Sequence, residues 1–207
     1  SGPMRAAAAR EPLLDDLNYR ESPERCVGVL ETSSLPDDAV CRDLAEKCGI
    51  APDKLLLLAA PTRSLAGTIQ IVARSVETAL HKLHELKFDL QRIASGWGSA
   101  PLPPPAADDM AGIGRTNDAI LYGAHAILYV RGDDASLEEV GPQIPSDSSR
   151  DYGQPFAEIM ARYDHKFYNI DPLLFSPAKI TLCNLETGNV FSFGKFNKEV
   201  LARSLGG

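Results

Sequence analysis

The sequence predicts an α/β fold, and three observations predict it. Apolar runs at residues 26–32 and 54–60 are too short for ordinary helices, and each is followed by a segment with helical signals. A third run, Ala126 to Arg131, follows another helical segment. Near the C-terminus two strand-like runs flank the turn Glu186-Thr187-Gly188-Asn189. Strands alternating with helices over loops of this length form the α/β pattern. A chain of 207 residues suits one large domain or two small ones.

Taken in order, Met4 to Arg10 forms a helix behind the turn Ser1-Gly2-Pro3. Cys26 to Thr32 reads as a buried strand that ends in a carboxylate, Glu31. Pro36-Asp37-Asp38 opens a helix, since proline suits a first turn and acids suit its positive end; Gly49 stops it. Lys54 to Ala60, with four consecutive leucines, reads as a second buried strand. Pro61-Thr62-Arg63-Ser64 breaks that strand, and one long helix is expected from about Leu65 to Leu86. Its apolar stripe is Leu65, Ile69, Val72, Val76, Leu80 and Leu83; beside it runs the polar stripe Gln70, Arg74, Glu77, His81 and His84.

Ile93 to Ala100 leads into Pro101-Leu102-Pro103-Pro104-Pro105, where glycines permit close backbone approach and prolines stiffen the exit. Asp108 to Gly123 reads as helix and Ala126 to Arg131 as strand. Residues 132–152 turn polar and are expected to form a surface loop or short helix. Phe156 to Tyr163 is helical, Ile180 to Leu185 and Val190 to Phe193 form a hairpin, and Lys198 to Leu205 is a last helix.

Apolar residues make up 44% and charged residues 24%, a globular composition that excludes a disordered or fibrous chain. The net charge of −7 argues against a nucleic-acid binder and against an anionic-membrane binder, both of which need clustered Lys and Arg. No apolar run reaches the ~18 residues of a membrane span, and no secretory signal stands at the amino terminus. Cys26, Cys41, Cys48 and Cys183 form no Cys-x-x-Cys pair, which suits reduced thiols in a cytoplasmic protein.

Several residues could carry chemistry. Arg74 and Glu77, three apart on a helix, form either a solvated ion pair or a carboxylate that a guanidinium keeps ionised and aims at a water. His81 and His84 lack a third ligand nearby, so a metal site is rejected. Thr62, Ser64, Gly67 and Thr68 join a strand to a helix start, where they either cap the helix or receive an anionic ligand group. Glu31 is either an exposed loop acid or a site residue at the carboxyl end of a strand. Ser95, Gly96, Trp97, Gly98 and Ser99 make a turn or a pocket wall. Thr116-Asn117-Asp118 supplies polar contacts to a ligand or a buried helix network.

At these residues the chain resembles the methenyltetrahydromethanopterin cyclohydrolase family of archaeal and methylotrophic one-carbon metabolism. The resemblance runs end to end. It is carried by Val29-Leu30-Glu31, by Leu57 to Gly67, by Gln70 to Thr78, by His81 to Leu86, by Ser95-Gly96 to Pro101, by Thr116 to Ile120 and by Asp151 to Phe156. Ser1-Gly2-Pro3-Met4-Arg5-Ala6 matches an internal family motif, so a further amino-terminal part of the family, with a lysine-bearing Gly/Ser-rich segment, is expected upstream.

The resemblance implies a two-part α/β architecture around a deep inter-domain pocket, with an internal division expected near residues 24–131 and 150–207. It implies Glu77 as the carboxylate that activates water, Arg74 as its partner and Glu31 as a further active-site acid. Thr62, Ser64, Gly67, Ser95, Gly96 and Asn117 are then substrate-binding candidates. A cationic electrophile needs no metal or redox cofactor; the pterin C1 carrier is the substrate. A homotrimer in the cytoplasm is expected, with neither nucleic acid nor membrane as partner. The competing readings are a non-catalytic pterin-binding fragment and a cyclohydrolase that acts on a folate-type carrier.

Overall fold

The computed structural model describes residues 1–206 and divides into two compact units, Ser1–Thr62 and the chain from Arg63 onward. The first unit contains α1 (Met4–Ala8), α2 (Pro12–Asp16), β1 (Cys26–Glu31), α3 (Asp38–Lys47) and β2 (Leu55–Ala60). β1 and β2 pair in parallel, with Cys26 opposite Leu55 and Glu31 opposite Ala60. Ser1 extends β1: its amino group donates to the Val29 carbonyl across 2.8 Å, and Val29 N–H donates back to Ser1 O at 2.9 Å. Gly28 lets Met4 pack closely on β1: a Cβ would stand 2.2 Å from Met4 Sδ, and the flexible Met4 side chain would have to move. Asp37 caps α3 by accepting from Val40 N–H at 2.9 Å, and Gly49 follows the helix at φ 70°.

β2 departs from the expected buried strand. Leu56 and Leu58 are 58% and 54% exposed, while Leu55 and Leu57 are half-buried. Successive strand residues point to opposite faces, so a run of leucines need not be covered on both.

The second unit contains α4 (Leu65–Val72), α5 (Ser75–Glu85), β3 (Ile93–Ser99), α6 (Asp109–Gly123), β4 (His125–Val130), α7 (Asp134–Val140), α8 (Phe156–Arg162), β5 (Lys179–Asn184), β6 (Val190–Gly194) and α9 (Lys198–Leu205). Its sheet runs β3-β4-β5-β6, with the central β4–β5 pair parallel and both outer pairs antiparallel. Ala126, Leu128 and Val130 of β4 pack with Ile180 and Leu182 of β5 against Ala79 and Leu83 of α5 and Leu137 and Val140 of α7. A second cluster joins Leu121 and Tyr122 of α6 to Phe156 and Ile159 of α8 and Val200 of α9. Each large apolar side chain so buried contributes about 1.5–3 kcal/mol.

Three expectations are corrected in this unit. The single helix 65–86 is two helices: Arg74 N–H reaches back to Ile71 O at 3.0 Å, tightening the last turn of α4, and α5 restarts at Ser75. The expected apolar stripe is accordingly uncovered at Leu65 and Ile69 and buried at Val72 and Leu83. The Gly-rich segment at 93–99 is neither turn nor loop but strand β3, paired to β4 with Trp97 opposite Ile127. Of the two readings of residues 132–152, the short helix is found at α7 (Asp134–Val140), while the surface loop is overturned: Leu137, Ile144, Ser146 and Asp151 are all buried. Their polar composition is absorbed by internal bonds. Ser146 Oγ donates to Leu121 O, and Asp151 accepts from Tyr163 Oη at 2.9 Å, Arg162 Nη2 at 2.8 Å and Asp171 N–H at 2.9 Å. Among the described residues no helix is long and apolar enough to cross a membrane.

Candidate functional site

In the first unit, Glu31 and Thr62 come to the same end of the parallel pair. Glu31 is the exposed last residue of β1, Thr32 N–H donates to Ala60 O at 3.1 Å, and Thr62 lies two residues beyond β2. This is the carboxyl end of the strands, where open α/β sheets gather ligands. A separate cavity of about 140 Å³, lined by Met4, Arg5, Leu44 and Cys48 among others, holds none of the residues singled out from the sequence. The Cys48 thiol beside it is pushed up, first by burial and then by its neighbour Cys26.

In the second unit, Ser64 caps α4: its Oγ accepts from Gly67 N–H at 3.0 Å, and Gly67 is buried in the first turn. The start of α4 is tied to the start of α6. Arg63 N–H donates to Asp109 Oδ1 at 3.1 Å, the Arg63 guanidinium stands 3.6 Å from Asp109 Oδ2, and Ala106 N–H donates to Arg63 O at 3.1 Å. Asn117, on α6, donates from Nδ2 to Ile113 O at 2.9 Å within its own helix. Its neighbours form the buried network: Thr116 Oγ1 donates to Gly112 O at 2.8 Å, and Asp118 accepts from Phe156 N–H of α8 at 2.8 Å and Ser204 Oγ of α9 at 2.6 Å.

Arg74 and Glu77 flank the start of α5. Arg74 is its N-cap, with a carbonyl that accepts from Thr78 N–H at 2.9 Å and Thr78 Oγ1 at 3.0 Å; Glu77 is exposed in the first turn. Strand β3 passes close beneath this turn. A Cβ on Gly96 would stand 3.1 Å from Val76 Cγ1, and one on Gly98 would stand 2.4 Å from Ser75 Oγ. The missing side chains let the helix start settle on the strand, which brings Gly96 and Gly98 up to Ser75 and Val76, in the turn that carries Arg74 and Glu77.

The same turn holds an unusual pair of donors. Gln70 Nε2 and Arg74 Nε are buried and have no hydrogen-bond partner. Leaving a buried donor unsatisfied costs about 1–3 kcal/mol. Gln70 lies in the polar stripe read from the sequence, but nothing in the periodicity distinguished it from its neighbours.

One titratable group, Lys82, was missed, and the buried-network reading of Thr116-Asn117-Asp118 holds at Asp118. Lys82 is 1% exposed, and burial pushes its amine down to about 8. Burial pushes the Asp118 carboxyl up to about 6. The signal for Lys82 was present: Ser75, Ala79, Lys82 and Leu83 are the buried residues of α5, at the helical spacing of three and four. Among the described residues no group of three or more His, Cys, Asp or Glu side chains is arranged to hold a metal ion.

A family model described as "Cyclohydrolase (MCH)" matches residues 1–205. Similar curated proteins include the methenyltetrahydromethanopterin cyclohydrolase of Methylobacillus flagellatus, 48% identical over 206 residues that cover 100% of this chain and 63% of that protein. The protein of that name from Xanthobacter autotrophicus is 49% identical over 207 residues, covering 100% of this chain and 61% of its own length. The one from Methylosinus trichosporium is 48% identical over 206 residues, 79% of its length. The chain thus spans about three fifths of the length of the first two of these relatives.

Proposed function

Because the chain belongs to the cyclohydrolase (MCH) family, we propose that it serves hydration of 5,10-methenyltetrahydromethanopterin to the 5-formyl product. The observation that carries this reading is the match over residues 1–205, joined to an exposed carboxylate, Glu77, one helical turn from a buried arginine donor. Three residues separate Glu77 from Arg74, a spacing at which helical side chains are neighbours.

The bridge between N5 and N10 of the substrate is an amidinium-like cation. Water attacks its carbon, and Glu77 as carboxylate accepts one water proton as the C–O bond forms. That proton passes to N10 as the C–N10 bond breaks, leaving the formyl group on N5. The remaining hydroxyl proton leaves to solvent, which balances the positive charge lost. Arg74 orients the carboxylate. Because the electrophile is already cationic, the reading assigns no metal or redox cofactor. It keeps Glu31 as a further active-site acid, assigns Thr62, Ser64, Gly67, Ser95, Gly96 and Asn117 to carrier binding, and carries with it a homotrimeric assembly in the cytoplasm.

The test is loss of methenyl-carrier absorbance on adding the full-length protein and its Glu77→Gln variant. Rapid hydration by the wild type and loss of most turnover in the variant, with an unchanged circular dichroism spectrum, are expected. A near-normal rate in Glu77→Gln would remove Glu77 from the mechanism. An inert but folded wild type would remove the cyclohydrolase reading itself. Parallel assays on methenyltetrahydrofolate identify the carrier.

A further inference from the structure

We propose that Gln70 is a substrate-positioning residue which, together with Arg74, holds an oxygen acceptor on the fused pterin ring; this rests on the cyclohydrolase reading. Among the described residues, four buried side-chain atoms lack a hydrogen-bond partner: Gln70 Nε2, Arg74 Nε, Tyr152 Oη and Ser176 Oγ. The last two are hydroxyls, which rotate and can accept as well as donate. The first two donate only, with directions fixed by planar groups. Proteins rarely bury such donors without an acceptor, so such a pair calls for one from outside the chain.

The backbone sets the two donors at one junction. Ala73 N–H bonds to Ile69 O at 3.0 Å, which carries the winding of α4 through Ala73, and Arg74 follows as the N-cap of α5 with its N–H on Ile71 O at 3.0 Å. Gln70 and Arg74 thus stand four residues apart across the junction of α4 and α5. Neither side chain is diverted into an internal bond, in contrast to Ser64 and Asn117, each of which bonds its own helix. A guanidinium N–H and an amide N–H at one junction, both without an internal acceptor, suit an oxygen acceptor.

Position selects which oxygen. Glu77, which acts at the bridging carbon, begins less than one turn beyond Arg74. The bridge is fused to the pterin ring, and the ring carbonyl is the oxygen held at a fixed short distance from it. The anionic tail of the carrier lies at the far end of the molecule. The structure therefore assigns Gln70 to the ring, where it sets the position of the bridge relative to Glu77.

The test is steady-state kinetics of the full-length protein with Gln70→Leu and Gln70→Glu, the first removing the donor and the second replacing it with an acceptor of equal size. Both should raise KM about tenfold or more, the scale of one lost hydrogen bond to substrate, with kcat within about threefold of wild type. Melting temperature should hold or rise in Gln70→Leu, since a buried orphan donor is gone. Wild-type KM in either folded variant overturns the proposal, as does a loss confined to kcat. If Gln70→Leu fails to fold, Gln70→Glu decides. A carrier lacking its anionic tail should show the same KM ratio between wild type and variant; a ratio that collapses to one would move the contact from ring to tail and overturn the assignment. Calorimetric binding of the methenyl carrier in the Glu77→Gln background, with and without Gln70→Leu, reads the contact without turnover, so an inert wild type counts against the cyclohydrolase reading while the binding ratio still decides Gln70.

Discussion

Lys82 and Ser148, 66 residues apart in sequence, meet inside the second unit: Lys82 Nζ donates to Ser148 Oγ across 3.0 Å and also to the Leu173 carbonyl. The ammonium thereby ties α5 to two loop segments. Desolvation is the largest influence on it and lowers its affinity for a proton; Asp171 and Asp147 oppose this only in part. An amine near 8 in the folded chain against 10.5 unfolded means that the unfolded state binds more protons between those values. Stability from this group is present above 10.5 and lost as pH falls through about 8. The wild type is therefore expected to gain stability relative to Lys82→Met between pH 8 and pH 10.5, by up to about 3 kcal/mol. Urea unfolding of both proteins at the two pH values measures it, and a constant difference would refute it.

The seat of α5 on β3 gives a steric prediction. An alanine methyl at position 98 would come 2.4 Å from Ser75 Oγ and 2.9 Å from Val76 Cγ2. Gly98→Ala should destabilise by about 1–3 kcal/mol through overpacking. It should also lower turnover, because the displaced turn carries Arg74 and Glu77. Adding Ser75→Ala removes the nearest clash and should recover part of the loss. A double-mutant cycle that shows no coupling would mean that the turn does not rest on the strand as described.

How much of this was legible beforehand follows from what each signal measures. Helix α9 was read with its bounds at Lys198 and Leu205, and the hairpin of β5 and β6 to within a residue or two, because caps, turn residues and alternation are local properties. The break at Arg74 was not, since Ala73 and Arg74 are ordinary helix residues and only the tightened turn separates α4 from α5. The glycines of β3 were read as a sign of close backbone approach, which they are, but which element approaches was not a sequence property. In the polar run 132–152 the short helix was legible and is found at α7, while the surface loop misled for a related reason: polarity marks surface only when partners are lacking, and Asp151 has three. Of the candidate site, Arg74 and Glu77 were legible as a pair from their spacing and took their roles from the resemblance, whereas Gln70 emerges only once burial and hydrogen bonding are known.

Asp118 joins three helices, and its titration should be visible in stability. Desolvation raises it first; bonds from Ser204 and Phe156 N–H lower it, and the Glu158 carboxylate raises it again. With a folded value near 6 against 3.8, its contribution is full below 3.8 and is lost as pH rises through about 6. Asn at this position keeps an acceptor for Phe156 N–H and does not ionise. Asp118→Asn should therefore gain on the wild type between pH 4 and pH 7, by up to about 3 kcal/mol. Chemical denaturation at both ends of that range decides it; parallel curves would show that Asp118 ionises as freely folded as unfolded.

Asp134 works in the opposite sense at the tip of the C-terminal hairpin. Its carboxylate accepts from Asn189 Nδ2 at 2.7 Å, from Thr187 Oγ1 at 2.8 Å and from Asn184 Nδ2 at 2.6 Å, so one side chain at the start of α7 gathers the turn between β5 and β6. These bonds favour the ionised form, the Asn189 amide most of all, and hold the carboxyl below its ordinary value. The stability it confers is present above pH 3.8 and lost as pH falls through the lower folded value. Asp134→Ala should lower the melting temperature at pH 7, and the gap from wild type should narrow as the solution is taken towards pH 3. Asn184 keeps its second bond, to Gly132 O at 2.8 Å, so the strand itself should stay paired and the loss should centre on the turn. Amide hydrogen exchange locates it: faster exchange at Gly188 and Asn189 with β5 protected is expected, and a gap that stays constant down to pH 3 would show that charge on Asp134 does not hold the turn.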